Sequence, residues 1–205
     1  MKRYILLFAW TVFLMLLSSG CAFVDQKVPL IYNQGVANVN AGNYGAIQVE
    51  KPTSPDLQEK NNGLFIIGNV KNTYGMKTAD TVTGDSVSDW VTRALTMELE
   101  AAGFIPQIID DIGTSTGKGI KTRVLKVWVE QDPGFWTVGA IAEVQLRIAL
   151  YRDGNKIKEF DVESKGQGNR AMMGDNATKR ESLRVALEAC MKKVIPIIIE
   201  TYSKE

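Results

Sequence analysis

The chain has 205 residues, of which 24 are Lys or Arg and 23 are Asp or Glu, giving a formal charge of +1. That balance lacks the basic excess of a general nucleic-acid binder, and the length fits one domain with extensions. Histidine is absent and only two cysteines occur. This excludes Ser-His-Asp and Cys-His catalysis, any zinc site that uses histidine, and a four-cysteine site within one chain.

Lys2 and Arg3 precede fourteen uncharged residues, Tyr4 to Leu17, followed by Ser18, Ser19, Gly20 and Cys21. As a helix the uncharged run spans roughly 21 Å, short of a hydrocarbon core of about 30 Å. It reads as the apolar region of a signal peptide, not as a membrane-spanning helix. Small residues ahead of Cys21 allow a peptidase close to the backbone, and the Cys21 thiol can carry a diacylglycerol through a thioether. Leu17-Ser18-Ser19-Gly20-Cys21 resembles the lipobox of bacterial lipoproteins, departing from it at Ser18, where leucine is commoner. The resemblance implies cleavage between Gly20 and Cys21, then acylation of the Cys21 thiol and of the new amino group. Two or three acyl chains give stable anchoring where one does not. Processing at this site removes two cationic side chains and no anionic ones, leaving 22 basic and 23 acidic residues, a formal −1. Ala22, where an aspartate would favour inner-membrane retention in enteric bacteria, points to the outer membrane of a diderm cell.

Residues 21–62 read as the lipidated cysteine and a polar tether. Asn33, Asn38, Asn40 and Asn43 mix with Gly35, Gly42 and Gly45, and Pro52 and Pro55 punctuate the rest, a composition that favours turns over a core. Within it, 28–32 and 46–49 could add edge strands. A folded domain is expected over 63–205. Leu64 to Val70 reads as a strand and 71–84 as a polar loop. A helix starts near Asp85 or Ser86, where Ser86 with Asp89 fits a capping box, and carries an apolar stripe through Val87, Trp90, Val91, Ala94, Leu95, Leu99 and Ala102, with Gly103 as its terminator. Phe104 to Ile109 reads as a short strand that Pro106 confines to a sheet edge. Arg123 to Glu130 and Trp136 to Arg152 are strands. The second has Val138, Ala140, Ala142, Val144, Leu146, Ile148 and Leu150 at alternate positions, the pattern of an antiparallel strand with one buried face. Asp153-Gly154 makes a tight hairpin turn, and the return strand from Lys156 to about Gly166 slips in pattern between Ile157 and Phe160–Val162, consistent with a bulge. The last helix spans about 178 to 202, with a capping box from Thr178 to Glu181 and a kink expected at Pro196. The expected fold is α+β: a mostly antiparallel sheet of about four to five strands with two amphipathic helices on one face.

Several near-motifs lack the spacing their chemistry needs. Only three residues separate Gly113 from Gly117, one fewer than a phosphate loop needs, and Gly119 follows Lys118 where Ser or Thr is required. Gly166-x-Gly168-x-x-Ala171 echoes a dinucleotide fingerprint but closes a hairpin instead of opening a helix. Asp110 and Asp111 read as a solvated loop and no metal site is assigned. Glu98 with Glu100, or Glu143 with Glu163, could serve as acid and base, but read better as solvated faces. Cys190 reads as a small buried hydrophobe on the last helix, with no histidine to activate it. The turn at Asp132-Pro133-Gly134-Phe135-Trp136 puts two large aromatics where turns are usually polar, so Phe135 and Trp136 are candidates for contact with a partner or a membrane.

The lipobox, the helix ending Glu98-Leu-Glu-Ala-Ala-Gly-Phe104, and the hairpin from Ala142 to Gly168 with its Asp-Gly-Asn-Lys turn together resemble the YajG family of bacterial outer-membrane lipoproteins. That resemblance implies a periplasm-facing lipoprotein and supplies no catalytic residue. The expectation is therefore a non-enzymatic protein without a cofactor, anchored to the membrane by acyl chains on Cys21, that binds or scaffolds an envelope protein or glycan. An accessory subunit of a lipid or solute transport system is the second expectation. In cells fed a palmitate analogue, the wild-type chain should be labelled and Cys21→Ser should not; equal labelling would remove the lipidation assignment.

Overall fold

The structure, a computed structural model, describes residues 24–33, 37, 39, 41–60, 63–113, 116–134, 137–170 and 176–203. Among them the chain order is β1 (Gln26–Lys27), β2 (Gly45–Thr53), β3 (Glu59–Lys60), β4 (Leu64–Lys71), β5 (Lys77–Thr83), α1 (Val87–Ala102), β6 (Phe104–Ile109), β7 (Lys118–Pro133), β8 (Val138–Arg152), β9 (Asn155–Gln167) and α2 (Asn176–Tyr202). The strands form one nine-stranded mixed sheet. This corrects the expected fold of four to five mostly antiparallel strands. The pairings β1–β5, β2–β6, β2–β7 and β4–β7 are parallel, while β3–β4, β4–β5, β7–β8 and β8–β9 are antiparallel.

The added strands come largely from the stretch read as tether. Its described residues supply β1, β2 and β3, and β2 lies inside the sheet between β6 and β7. Val28, Leu30 and Tyr32 are buried, and this segment crosses α1, where Trp90 Nε1 donates to the Ile31 carbonyl at 2.7 Å. The ordered sheet therefore begins well before residue 63. The stretch 71–84, read as loop, contains β5, whose Thr81 and Thr83 are fully buried. Its polar composition hid a strand that β1 and β4 flank on both edges.

Local signals translate more directly. Ser86 caps α1 by accepting from the Asp89 backbone N–H, and Gly103 ends the helix in the left-handed region at φ 96°. Strand β6 pairs only with β2, so Pro106 does sit on an edge. The β8–β9 turn holds Asp153 and Gly154 at φ 48° and 74°, as a type I′ turn requires. The β8–β9 register shifts where Lys156 and Lys158 pair with Tyr151 and Leu150, leaving Ile157 as the bulged residue. Helix α2 begins at Asn176, two residues before the expected cap, and continues through Pro196. Thr178 is thus inside the helix, and its carbonyl accepts from Ser182 Oγ.

Both helices cover one face of the sheet. Ala140, Ala142, Val144, Leu146, Ile148 and Leu150 of β8 are fully buried and share one core with Val91, Leu95 and Leu99 of α1 and Leu183, Leu187, Met191 and Val194 of α2. Two close approaches make this packing possible. A Cβ at Gly166 would stand 2.2 Å from the Ser182 carbonyl oxygen of α2, and one at Gly168 would stand 2.4 Å from that of Thr178. The glycines that echoed a nucleotide fingerprint instead let α2 lie directly on β9. Gly68 of β4 meets β7 in the same way: a Cβ there would stand 1.9 Å from the Val129 carbonyl oxygen. Gly68→Ala is expected to lower stability by about 1–3 kcal/mol, read as a lower urea midpoint with an unchanged slope; an unchanged midpoint would show that β4 withdraws from β7 at no cost.

Candidate functional site

Strand alternation divides β7 and β8 between two environments. Val127 and Val129 face the helices and are buried, while Lys126, Trp128 and Glu130 face the uncovered side and are half-buried. On β8 the matching open-face residues are Ile141, Glu143 and Gln145, and Trp128 stands directly opposite Glu143. Lys165 of β9 pairs with Glu143 on the other side. Lys126, Trp128, Glu130, Ile141, Glu143 and Lys165, with Lys71, Gly75, Gln131, Asp132 and Pro133, line a groove of about 620 Å³ on the open face. A second concavity continues past Lys126 and Trp128 toward Pro55, Leu57 and Ile66.

The groove is polar along its walls and aromatic at its centre. Lys126 Nζ lies 2.9 Å from Glu143 Oε2, and Lys71 Nζ lies 2.8 Å from Glu130 Oε2. Trp128 Nε1 donates to Glu130 Oε1 at 3.2 Å, and Gln145 Nε2 donates to Glu143 Oε1 at 2.6 Å. The bond from Lys126 holds the Glu143 carboxyl below the usual carboxylate range, and that from Lys71 does the same for Glu130. Both carboxylates are accordingly ionised at neutral pH. A general acid needs the opposite shift, so this arrangement suits recognition better than proton transfer.

One end of the groove adjoins the β7–β8 hairpin turn. Pro133 pairs with Val138, and the Gly134 N–H donates to the Thr137 carbonyl at 2.8 Å. Arg170, just past β9, braces this base. Its Nη1 lies 2.5 Å from Asp132 Oδ2, its Nε donates to Thr137 Oγ1 at 3.0 Å, and its Nη2 reaches the carbonyls of Asp132 and Thr137. Phe135 and Trp136, the candidate contact residues between these supports, lie outside the described residues. So do Gly20 and Cys21, the cleavage and lipidation residues.

The other candidates have structural employment. Cys190 is fully buried and burial pushes its thiol up to about 11, as suits an inert core residue. Glu98 is also fully buried, contrary to its reading as part of a solvated face. It accepts from Tyr32 O–H at 3.0 Å and from the Ala37 N–H at 2.9 Å, while Glu100 is exposed. Glu163 stands opposite Gln145, not Glu143. The loop that resembled a phosphate cradle braces the β8–β9 turn: Gly117 N–H donates to Asp153 Oδ1 at 2.8 Å, and Lys118 Nζ donates to the Tyr44 carbonyl at 2.9 Å. Among the described residues no group of three Asp, Glu or Cys side chains is placed to hold a metal ion. The groove itself escaped sequence reading, although one signal was available: a tryptophan on the polar side of an otherwise regular alternation.

No family model matches the sequence, and no curated protein matches it. Among solved structures, a Xanthomonas campestris protein of the DUF330 family superposes with a TM-score of 0.54 at 12% identity, covering 89% of this chain and 99% of that one. An uncharacterised protein gives 0.45 at 14% identity over 86% and 97%, and a minor lipoprotein from Acinetobacter baumannii gives 0.35 at 13% identity over 85% and 93%. The first of these supports a shared fold and nothing finer.

Lys179 of α2 is the unexpected titratable group. It is 2% exposed, donates from Nζ to Thr81 Oγ1 at 2.6 Å, and has its pKa lowered to about 8 by burial. Neither concavity on the open face reaches it. The folded state thus binds this proton less tightly than the unfolded chain does, and stability should rise with pH between about 8 and the ordinary lysine value near 10.5. Lys179→Met is expected to be about 2 kcal/mol more stable at pH 7 and to lose that share of the pH dependence. Parallel stability–pH curves for the two proteins would refute the assignment.

Proposed function

We propose that this protein is a lipid-anchored component of the bacterial cell envelope, of the YajG-like kind. On this reading it is held in the outer membrane by acyl chains on Cys21, faces the periplasm, and binds an envelope protein or glycan without catalysing a reaction. Support for the anchor is the Leu17–Cys21 sequence. The observation that carries the binding role is the open-face groove, where Trp128 is framed by lysine–carboxylate pairs. An amphipathic aromatic among fixed charges offers stacking area and oriented hydrogen bonds. Its ionised carboxylates offer no proton to give.

Ile141 lines the groove and is 42% exposed, so a photo-crosslinking residue there should disturb the fold little. Irradiation of intact cells is expected to give a discrete adduct, identifiable by mass spectrometry. Trp128→Ala should abolish it, and serine at both Phe135 and Trp136 should weaken it without changing the unfolding midpoint. An Ile141 adduct that survives Trp128→Ala, or none at all, would refute binding at this groove.

A further inference from the structure

We infer that the domain stands directly on the lipid bilayer, with the β4–β5 turn set into the headgroup region, and not at the end of a long tether. The inference rests on lipidation at Cys21 and adds an orientation to it.

Four features of the fold converge at one end. Strand β1 runs parallel to β5 with Gln26 beside Thr81, so the chain before it heads toward Lys77 and the β4–β5 turn. Val24 lines a hollow with Lys77, Thr78 and Ala79 and is 63% exposed. Only three residue steps separate it from Cys21, a reach of roughly 10 Å at full extension. Strands β4 and β7 are parallel, with Asn69 beside Glu130, so the β7–β8 turn base at Gly134 and Thr137 lies at this end too.

The β4–β5 turn is built to present apolar side chains. Asn72 Oδ1 accepts from the N–H groups of both Tyr74 and Met76 at 3.0 Å, and Gly75 takes φ 79°. The ordered turn leaves Tyr74 86% and Met76 60% exposed. Tyrosine has an apolar body and a polar tip and favours the bilayer interface. Charges around this end are matched in pairs: Lys60 with Asp25, Lys77 with Asp80, Lys71 with Glu130 and Arg170 with Asp132. No uncompensated block of acidic charge at these positions opposes an anionic surface.

Ile105 and Ile108, 62% and 61% exposed, are the rival apolar side chains, on opposite faces of one strand. They lie on β6, where Ile108 and Ile120 both stand beside Val49. Along β7 that level is ten residues from Glu130, roughly 33 Å, beyond the reach of the anchor.

The test uses the full chain as a lipoprotein-exporting host processes it, reconstituted in vesicles of phosphatidylethanolamine with minor phosphatidylglycerol. Tyr74→Cys and Ile108→Cys are each labelled with an environment-sensitive fluorophore; Cys190 is buried and Cys21 acylated, so neither competes. A quencher carried on the lipid acyl chains should remove most of the fluorescence at position 74 and little at 108. Vesicle flotation is scored on the same samples. Flotation without quenching at 74 overturns the orientation while leaving lipidation intact, and turns that surface toward a protein partner. Failure to float overturns the lipidation reading and the orientation with it.

Discussion

Along one edge of β7, two strands share what a single neighbour usually occupies. Strand β8 takes the opposite edge from Lys118 to Pro133, pairing with every residue but Leu125. On the shared edge β2 pairs with Gly119 to Lys121 and again with Arg123, and β4 pairs with Val129 and Glu130. The sheet therefore forks, one branch continuing through β6 and the other through β5 and β1. The register break between Val124 and Lys126 falls between the branches, as expected where a strand must bend to serve two partners. Gly68 is the contact on which the second branch depends, because any side chain there would meet the β7 backbone.

That fork explains how surface and core divide. Helix α1 lies over the β2–β6 branch and α2 over β8 and β9, so one face is sealed by apolar packing. Gly166, Gly168, Ser182 and Ala186 keep α2 close enough to exclude water. Ser182 Oγ accepts from the Gly168 N–H at 2.8 Å, which satisfies a backbone donor that the close packing cuts off from solvent. Sealing has a cost at Lys179, a charge-bearing group whose partners among the described residues are the Thr81 hydroxyl and the Asn69 carbonyl. On the opposite face no helix among the described residues covers the strands, and the fork leaves a concavity beside β7 that Trp128 only partly fills.

What could be read from sequence follows the range of the interactions involved. The α1 caps, the Asp153-Gly154 turn and the β8 alternation each depend on residues within a few positions of one another, and the structure contains all three. Strand β2 depends on partners near 104–109 and 118–123, some sixty or more residues away. Nothing in its own polar, proline-bearing sequence announces them. Strand β5 is similar: threonines that read as loop are buried because β1 and β4 enclose them. The groove was hidden for the same reason. Lys126, Trp128 and Glu130 identify a wet face by alternation, but only the placement of β4 and β9 converts that face into a cleft.

Strand direction also limits how a partner can arrive. Lys71 and Gly75 at the end of β4, and Asp132 and Pro133 at the end of β7, border the groove at the same end where the chain leads back toward Cys21. If that end rests on a bilayer, the groove opens sideways along the sheet and its upper rim is closed by lipid headgroups. A partner would then meet Trp128 by moving along the membrane surface, with its own orientation restricted by the same plane. Confinement of this kind raises the effective concentration of a weak site, so a modest aromatic groove can suffice for an anchored protein where a soluble one would need a deeper pocket.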